Sequence, residues 1–310
     1  MCLAIASTKK KVIAPEENMK IMKLLLLICV ISLNTVFAQE NIENDSSFPL
    51  LEGPYLGQKL PSSTAEVFAP GIVSTKYFEA FGLFTPDLKE FYFERGGGKY
   101  EKHALVVIKN ENNRWIESLV ALGRVGEPSI SPDGKIMYLG NKYKERTDSG
   151  WSAVKSLGSS FENIPIMRLT ASSKGTYVFD ERTRNGNGVL RYSRLIDGKR
   201  EKPKALPKEI NTGKWNAHPF IAPDESYIIW DGVRESGYGK ADLYISYRQK
   251  DGSWGAAINL GDKINTEFED AFGSVTPDGK YFFFYRGVSQ GNLDIFWVDA
   301  QFIEDLRPKQ

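Results

Sequence analysis

The sequence contains almost no cysteine and almost no histidine. Its two cysteines, Cys2 and Cys29, lie near the N-terminus, so no disulfide is expected in the roughly 270 residues after position 38, which are enough to form a core stable by burial alone. With only two histidines, His103 and His218, a His- or Cys-rich metal centre is excluded. An oxygen-ligand Ca²⁺ site is left open because Asp-rich loops recur, although no EF-hand spacing occurs. No cofactor is predicted.

Other features are missing as well. The formal net charge of the chain is only +1, so it offers no general attraction to nucleic acid or to an anionic membrane surface. No Gly-x-Ser-x-Gly motif is present, which excludes a hydrolase domain of the peptidase kind. Stretches with helical periodicity are scarce, whereas 14 Tyr, 18 Phe and 6 Trp are present, and this composition favours β-strands.

The N-terminal region has the pattern of an export signal. Residues 19–23 are positively charged, residues 24–33 are mostly apolar, and Ala38 ends a short cleavage-site pattern. The apolar run is too short to span a membrane. Residues 19–38 are therefore predicted to be a cleaved signal peptide and residues 1–18 an upstream start that contributes nothing to the fold. The chain is expected in the periplasm or outside the cell.

A Pro-Asp turn recurs along the chain and marks a repeat. Its four clear copies are Thr85-Pro86-Asp87, Ser131-Pro132-Asp133, Ala222-Pro223-Asp224 and Thr276-Pro277-Asp278. A degenerate fifth copy lies at 171–175, with Ser172 taken at the proline position. Each copy precedes a run of aromatic and β-branched residues, and the spacing of about 40 to 54 residues is typical of a propeller or solenoid. Pro and Asp suit the central positions of a tight turn between two strands.

These repeats predict an all-β fold, a five-bladed β-propeller of four-stranded blades over residues 65–303. It follows an N-terminal extension at 39–64 and precedes a tail at 304–310. The last repeat lacks its own outer strand, so residues 66–73 are expected to supply one and close the ring, which leaves only short edges. A six-bladed ring is the alternative.

Two details of the blades follow from the same alignment. Blade 2 is expected to be compressed, because little room remains between Lys144 and Trp151 for a full third strand. Trp115, Trp151 and Trp254 recur near the start of the fourth strand, and this repetition favours packing between blades over ligand stacking. Residues 302–306 are expected to be helical.

The repeat motif resembles the WD-like propeller repeat of TolB-type exported bacterial proteins. The pattern is Ser/Thr-Pro-Asp-Gly-Lys before an aromatic strand, then Asp-Leu/Ile-Tyr/Phe, Asp-Gly-x-Trp-Gly and Asn-Leu-Gly, as at 276–280, 242–244, 251–255 and 259–261. It covers about residues 65–303 and repeats in register, which makes it specific for the fold. The resemblance implies an exported propeller used mainly as an interaction platform, in a family whose members differ in role. The third repeat departs from the pattern at Ser172-Ser173, and the second lacks the Asp-Leu-Tyr strand.

Blade geometry sorts the polar residues by face. Loops before the first strand and between the second and third strands lie on one face, called the loop face; the Pro-Asp turns lie on the other, called the turn face. The ligand-binding candidates are expected around the channel mouth on the loop face and are Glu79, Arg95, Arg182, His218, Asp231, Arg234, Asp270 and Arg286. Arginine suits bidentate capture of carboxylate or phosphate, but such arginines also pair with neighbouring carboxylates. His218 stands out because the other repeats lack it.

Two functions are weighed on this basis. The preferred one is a non-catalytic exported propeller that acts as a binding platform for a protein or glycan partner in the cell envelope, without nucleic acid and with no membrane span after signal cleavage. The alternative is a glycoside hydrolase-type five-bladed propeller enzyme that uses channel-mouth carboxylates, for which Glu79, Asp180, Asp231 and Asp270 are available. Small and apolar residues on the inner strands favour binding.

Overall fold

The strands of this chain follow one another as the blades of a ring. A computed structural model describes residues 50–183, 188–289 and 292–309, and within this part of the chain it contains five antiparallel sheets, each with a path of four strands. The predicted all-β, five-bladed propeller is therefore confirmed, with five blades rather than six. The predicted signal peptide and the upstream segment at 1–18 lie outside the described residues.

Each blade runs from an inner strand at the axis to an outer strand at the rim. Blade 1 contains β2 (Phe78–Phe84), β3 (Glu90–Gly97), β4 (Tyr100–Glu111) and β5 (Arg114–Leu122). Blade 2 contains β6 (Pro128–Ile130), β7 (Ile136–Leu139), β8 (Lys142–Thr147) and β10 (Lys155–Ser156), with β9 (Gly150–Trp151) paired to β8. Blade 3 contains β11 (Leu169–Ala171), β12 (Tyr177–Glu181), β13 (Val189–Ser193) and β16 (Lys204–Ala205), with a hairpin of β14 (Leu195–Ile196) and β15 (Lys199–Arg200).

The last two blades complete the ring. Blade 4 contains β17 (Lys214–Ile221), β18 (Tyr227–Val233), β19 (Asp242–Tyr247) and β20 (Ile258–Asn259). Blade 5 contains β21 (Asp270–Val275), β22 (Tyr281–Ser289), β23 (Asn292–Asp299) and, as its outer strand, β1 (Glu66–Val67). A 3-10 turn at Tyr55–Gly57 and the short helix α1 (Phe302–Asp305) complete the described elements, and neither is long and apolar enough to cross a membrane.

The ring is closed by the N-terminal outer strand, as the repeat count predicted. Val67 in β1 pairs antiparallel with Phe296 in β23, and the next residue, Phe68, donates its backbone N–H to Ile295 O at 2.8 Å. The Phe68 side chain is fully buried. Its ring lies 4.9 Å from both Phe91 of blade 1 and Phe283 of blade 5, measured between ring centroids, so this residue joins the first and last blades.

Blade 2 has its third strand, contrary to the expectation of a compressed blade. β8 supplies six residues, because only Gly140 and Asn141 separate it from β7 and the third strand starts earlier than expected. Gly140 has a φ of 64°, and a Cβ there would lie 2.6 Å from Ile166 O. The short connection therefore requires glycine.

A hydroxyl in front of Pro-Asp organises the turns. Ser131 Oγ donates to Asp133 at 2.6 Å and accepts the N–H of Ile136 at 2.9 Å, and Thr85 and Thr276 make the same pair of bonds in their turns. The aspartates are thus held as part of the turn structure.

The degenerate turn of blade 3 shifts the alignment by one residue. Gly175 N donates to Ser172 O, as Gly134 N donates to Ser131 O. Ser172 is therefore the counterpart of Ser131, and Ser173 occupies the proline position. The placement of Ser172 at that position was one residue off, because the turn lacks the proline that fixes the register elsewhere.

Residues 50–64 pack against blades 1 and 5. The Tyr55 hydroxyl donates to Asp278 at 2.5 Å, and its ring meets Tyr281 edge to face at 4.9 Å. In blade 1, Trp115 Nε1 donates to Gly53 O at 2.9 Å. This part of the predicted extension therefore adds contacts to the blades that the closing strand joins.

Candidate functional site

One residue per blade reaches the axis at an equivalent position. Counting back five residues from the proline position of each turn gives the set Phe81, Glu127, Arg168, His218 and Phe272, called the axial ring. Contacts between blades that are not neighbours in the ring confirm that these side chains meet at the centre: Arg168 of blade 3 lies with Cζ 3.6 Å from the ring centroid of Phe272 in blade 5, and His218 Nε2 of blade 4 lies 3.3 Å from Glu127 Oε2 of blade 2.

A bulge in the inner strand directs several of these side chains. Phe81, His218 and Phe272 have φ values of 65°, 47° and 61°, and the strand pairing shifts register at each of them. Such bulges re-aim a side chain next to a functional site. Phe81 and Phe272 then pack against each other with their ring planes tilted by 44° and their centroids 4.5 Å apart, which fills the loop-face side of the channel.

Two buried aspartates hold the backbone of axial-ring residues through hydrogen bonds. Asp180 accepts the backbone N–H groups of Met167, Arg168 and His218 at 2.9 to 3.1 Å. Asp231 accepts the N–H of Phe272 at 3.1 Å and contacts His218 Nδ1 at 2.8 Å. Each carboxylate therefore holds the backbone of the following blade at its bulge, which is a structural use of the acid.

Charge within this cluster is unevenly compensated. Burial alone would lower the pKa of His218, but the carboxylates of Asp231 and Glu127 outweigh it and raise the pKa well above its usual 6.5. Burial lowers the pKa of Arg168 to about 10 and raises that of Asp180 to about 6. The imidazolium of His218 has two carboxylates in direct contact, whereas Arg168 hydrogen-bonds to none among the described residues.

Three side chains of this cluster are of the types that bind metals. Glu127, Asp180 and His218 each offer one ligand atom, and these atoms lie within 4.8 Å of one another. A metal requires neutral histidine, so binding one here would have to displace the proton that Asp231 and Glu127 stabilise on His218. Both oxygens of Asp180 already accept backbone N–H groups. The residues therefore fit an internal ion-pair network better than a metal, and the Ca²⁺ option stays a prediction.

A cavity of about 440 Å³ lies on the turn-face side of the axial ring. Its wall contains one residue per blade, three places before the proline position, and these are Leu83, Ser129, Thr170, Phe220 and Ser274. The prolines of the four clear turns form its rim. Of the axial ring, only Arg168 lines the cavity, so its side chain forms the floor. The channel is thus filled toward the loop face and open toward the turn face.

The sequence-predicted arginines of blades 1 and 5 are committed to acids in their own blades. Arg95 Nε lies 3.1 Å from Glu79, which is fully buried. Arg286 Nε lies 2.6 Å from Asp270, also fully buried. Within each pair, the acid and the arginine are cross-strand neighbours in the register of the first two strands. Because the two blades share this register, the same ion pair occurs in both.

Three of the predicted arginines also bind backbone. Arg95, Arg234 and Arg286 each donate from Nη2 to a carbonyl of the segment that precedes their blade, at 2.6 to 3.2 Å; the acceptors are Ile72, Ile210 and Ile264. Arg234 further lies with Cζ 4.2 Å from the ring centroid of Tyr244. Arg182 differs, because its side chain is exposed and has no ion pair among the described residues.

The eight predicted residues do not form one site. His218 and Asp231 contact each other at the axis, and the other two acids form ion pairs with arginines of the same blade. Arg182 is exposed and contacts none of the other predicted residues in an ion pair. Arg168 and Glu127 were not among the predicted site residues, and Asp180 was named only as a carboxylate available to the hydrolase alternative. Counting back five residues from each turn would have found Arg168, once Ser173 rather than Ser172 is placed at the proline position.

Three solved structures resemble part of this chain at low sequence identity. TolB from Acinetobacter baumannii is 15% identical, with a TM-score of 0.45 over 72% of this chain and 55% of that one. A putative TolB from Agrobacterium tumefaciens is 17% identical, with a TM-score of 0.43 over 73% and 78% of the two chains. The fold is a five-bladed β-propeller, as the five sheets of the described residues, each with a path of four strands, show. The catalytic domain of the Coprinopsis cinerea GH62 α-L-arabinofuranosidase is 10% identical, with a TM-score of 0.49 over 76% and 97%.

These similarities concern the fold alone. The chain spans 55% of the A. baumannii protein, and identities of this size assign neither activity nor partner. No family model and no curated protein matches the sequence.

Proposed function

We propose that this chain is an exported, non-catalytic propeller that binds a protein or glycan partner over the axial cavity on the turn face. The observation that carries the proposal is the cavity itself, about 440 Å³ in volume and bordered by turns from four blades. Ligand sites are concave and mostly apolar, with a few convergent polar groups. Export is proposed from the signal-like sequence at 19–38.

The chemistry near the axis favours binding over hydrolysis. A glycoside hydrolase needs two carboxyl groups free to face the scissile bond, about 5 to 10 Å apart. Asp180 and Asp231 are fully buried and accept backbone N–H groups, and Glu79 and Asp270 are fully buried against arginines. Glu127 contacts His218. The acids that the hydrolase alternative requires are all engaged in supporting the ring.

The sequence-based alternative places binding on the loop face. Three of its arginines hold carbonyls of their own chain, and exposed Arg182 is the member best placed to test it. A ligand-binding role for the loop-face set stays a prediction, which the following experiment compares with the turn-face proposal.

The test is partner capture from envelope extract with chain starting at Gln39. Ser274→Leu narrows the cavity with a residue that blade 1 carries at the equivalent position, Leu83, and Arg182→Ala changes the loop face. The turn-face proposal expects Ser274→Leu to lose the partner that wild type retains and Arg182→Ala to keep it. The reverse pattern would move the site to the loop face.

The enzyme alternative has its own measurement. Aryl arabinofuranosides and xylosides are incubated with the wild-type protein and with Glu127→Gln. The binding proposal expects no release of the aryl group above background in either protein. Turnover by wild type that Glu127→Gln abolishes would establish the glycoside hydrolase instead.

A further inference from the structure

The cavity floor carries an arginine whose hydrogen-bonding capacity is largely unused. Arg168 is 1% exposed. Its Nη1 donates to Gly273 O at 3.1 Å and, at 3.4 Å, to His218 O, while its Nε is buried without a partner. No hydrogen bond of its Nη2 occurs among the described residues. A guanidinium presents five donors in a fixed fork, so most of this fork is free.

Among the residues that the structure describes, no carboxylate forms an ion pair with this charge. Glu127, Asp180 and Asp231 attract Arg168 through space, but the ion pairs of Glu127 and Asp231 are with His218, and Asp180 accepts backbone N–H groups. A buried charge without a paired counter-ion is costly. The cost is offset if an anion binds where the free donors point.

The geometry points to a binding site for a small carboxylic acid with an apolar body, its carboxylate on Arg168 and its body in the axial cavity. The inference deepens the proposed turn-face site and rests on it. Arginine binds carboxylate through two parallel N–H bonds. The cavity volume of about 440 Å³ falls in the range of small-molecule pockets, about 300 to 1,000 Å³.

The wall fits the rest of such a ligand. Leu83, Phe220 and Phe283 give it apolar surface. Ser274 lines the same cavity, and its hydroxyl makes no hydrogen bond within the described part of the chain, so it is available to a carboxylate oxygen. Thr170, by contrast, already donates to Pro219 O at 3.1 Å. Arg168 and Ser274 are therefore two polar residues of the cavity with hydrogen-bonding capacity left for a ligand.

The probes are 4-phenylbutyrate and its uncharged amide, titrated calorimetrically into the wild-type protein. They share one apolar body and differ only in the carboxylate. We expect the acid to bind at least 10-fold more tightly than the amide, because a charge-assisted bidentate pair is lost in the amide. Equal affinities, or no binding of the acid at millimolar concentration, would overturn the carboxylate inference.

Three variants locate the effect. Arg168→Met should reduce the acid-to-amide preference to less than 2-fold, and Arg114→Met, at an exposed arginine on β5, should preserve it. Ser274→Leu keeps Arg168 and should weaken both probes at least 10-fold by filling the cavity. This variant tests the site even if Arg168→Met fails to fold, because undiminished affinity of the acid for Ser274→Leu would contradict binding in the axial cavity.

Different results would contradict the turn-face partner site and the carboxylate site on Arg168. If Ser274→Leu abolishes partner capture but acid and amide bind equally to the wild type, the turn-face platform stands and the carboxylate inference is wrong. If the acid is preferred and partner capture is unaffected by Ser274→Leu, the cavity binds a small carboxylate while the partner binds elsewhere.

Discussion

Glu79 and Arg95 stand opposite each other across β2 and β3, and Asp270 and Arg286 repeat that relation in blade 5. The sequence predicted these residues on one face because their spacing from the turns is fixed. The sequence could not predict that each arginine forms an ion pair with the acid of its own blade and a hydrogen bond to a carbonyl of the preceding segment. These contacts depend on the strand register and on the path of the loop. Residue type and face were predictable; availability to a ligand was not.

Breaking one of these pairs should destabilise the fold. Arg286→Met leaves the fully buried carboxylate of Asp270 without its partner, and losing one member of a buried ion pair costs about 3 to 5 kcal/mol. Urea unfolding should show that loss in the free energy of unfolding. Arg182→Met, at an exposed arginine of the same predicted set, is the control and should stay within about 0.5 kcal/mol of wild type. Equal effects would contradict the structural role of Arg286.

The buried histidine predicts a pH dependence. His218 faces Asp231, Glu127, Asp180 and Arg168, and its pKa is raised well above 6.5. The folded state therefore binds this proton more tightly than the unfolded state. The resulting stability is complete below the unfolded-state pKa and is lost as pH rises through the raised pKa.

His218→Gln measures this contribution directly. The difference in the free energy of unfolding between wild type and His218→Gln should be largest near pH 6 and should shrink steadily toward about pH 10. Both proteins are unfolded in urea at each pH. A difference that stays constant over this range, or that grows with pH, would show that His218 is not held as an imidazolium.

At the scale of elements, the turns and the closing strand were the most predictable parts. Pro and Asp fix a turn locally, and the last repeat visibly lacked its outer strand, so the pairing of β1 with β23 could be foreseen. Blade 2 was misjudged because its β7–β8 connection has two residues where longer loops were assumed. The blade 3 turn has no proline, so the sequence alignment of this repeat was shifted by one residue. As a result, Arg168 was not recognised as the counterpart of the other residues of the axial ring.

The closing strand should depend on one side chain. Phe68 is fully buried between blades 1 and 5, and truncating a buried phenylalanine costs about 3 to 5 kcal/mol. Phe68→Ala should lower the free energy of unfolding by that amount in urea. Phe268→Ala, at a phenylalanine that is 40% exposed, is the matched control. Equal losses in the two variants would mean that Phe68 does not hold the closure.

At the scale of the whole molecule, the channel is asymmetric. The axial ring fills it toward the loop face, where the rings of Phe81 and Phe272 pack against each other, and leaves a cavity toward the turn face. The repeated Pro-Asp turns place the cavity, and the bulges aim the ring. Composition could exclude a metal-rich or peptidase-type site, but the side of the channel that is open depends on the rotation of five side chains, which no spacing determines.

Hydrogen exchange of the wild-type protein, with and without its captured partner, tests the turn-face proposal most directly. We expect slower exchange for amides at the turns that border the cavity, at 85–90, 131–136 and 276–281, and unchanged exchange for those of the loop face at 264–270. Protection confined to the loop-face segment, with the turns exchanging as in the free protein, would contradict the turn-face proposal and place the partner on the opposite face.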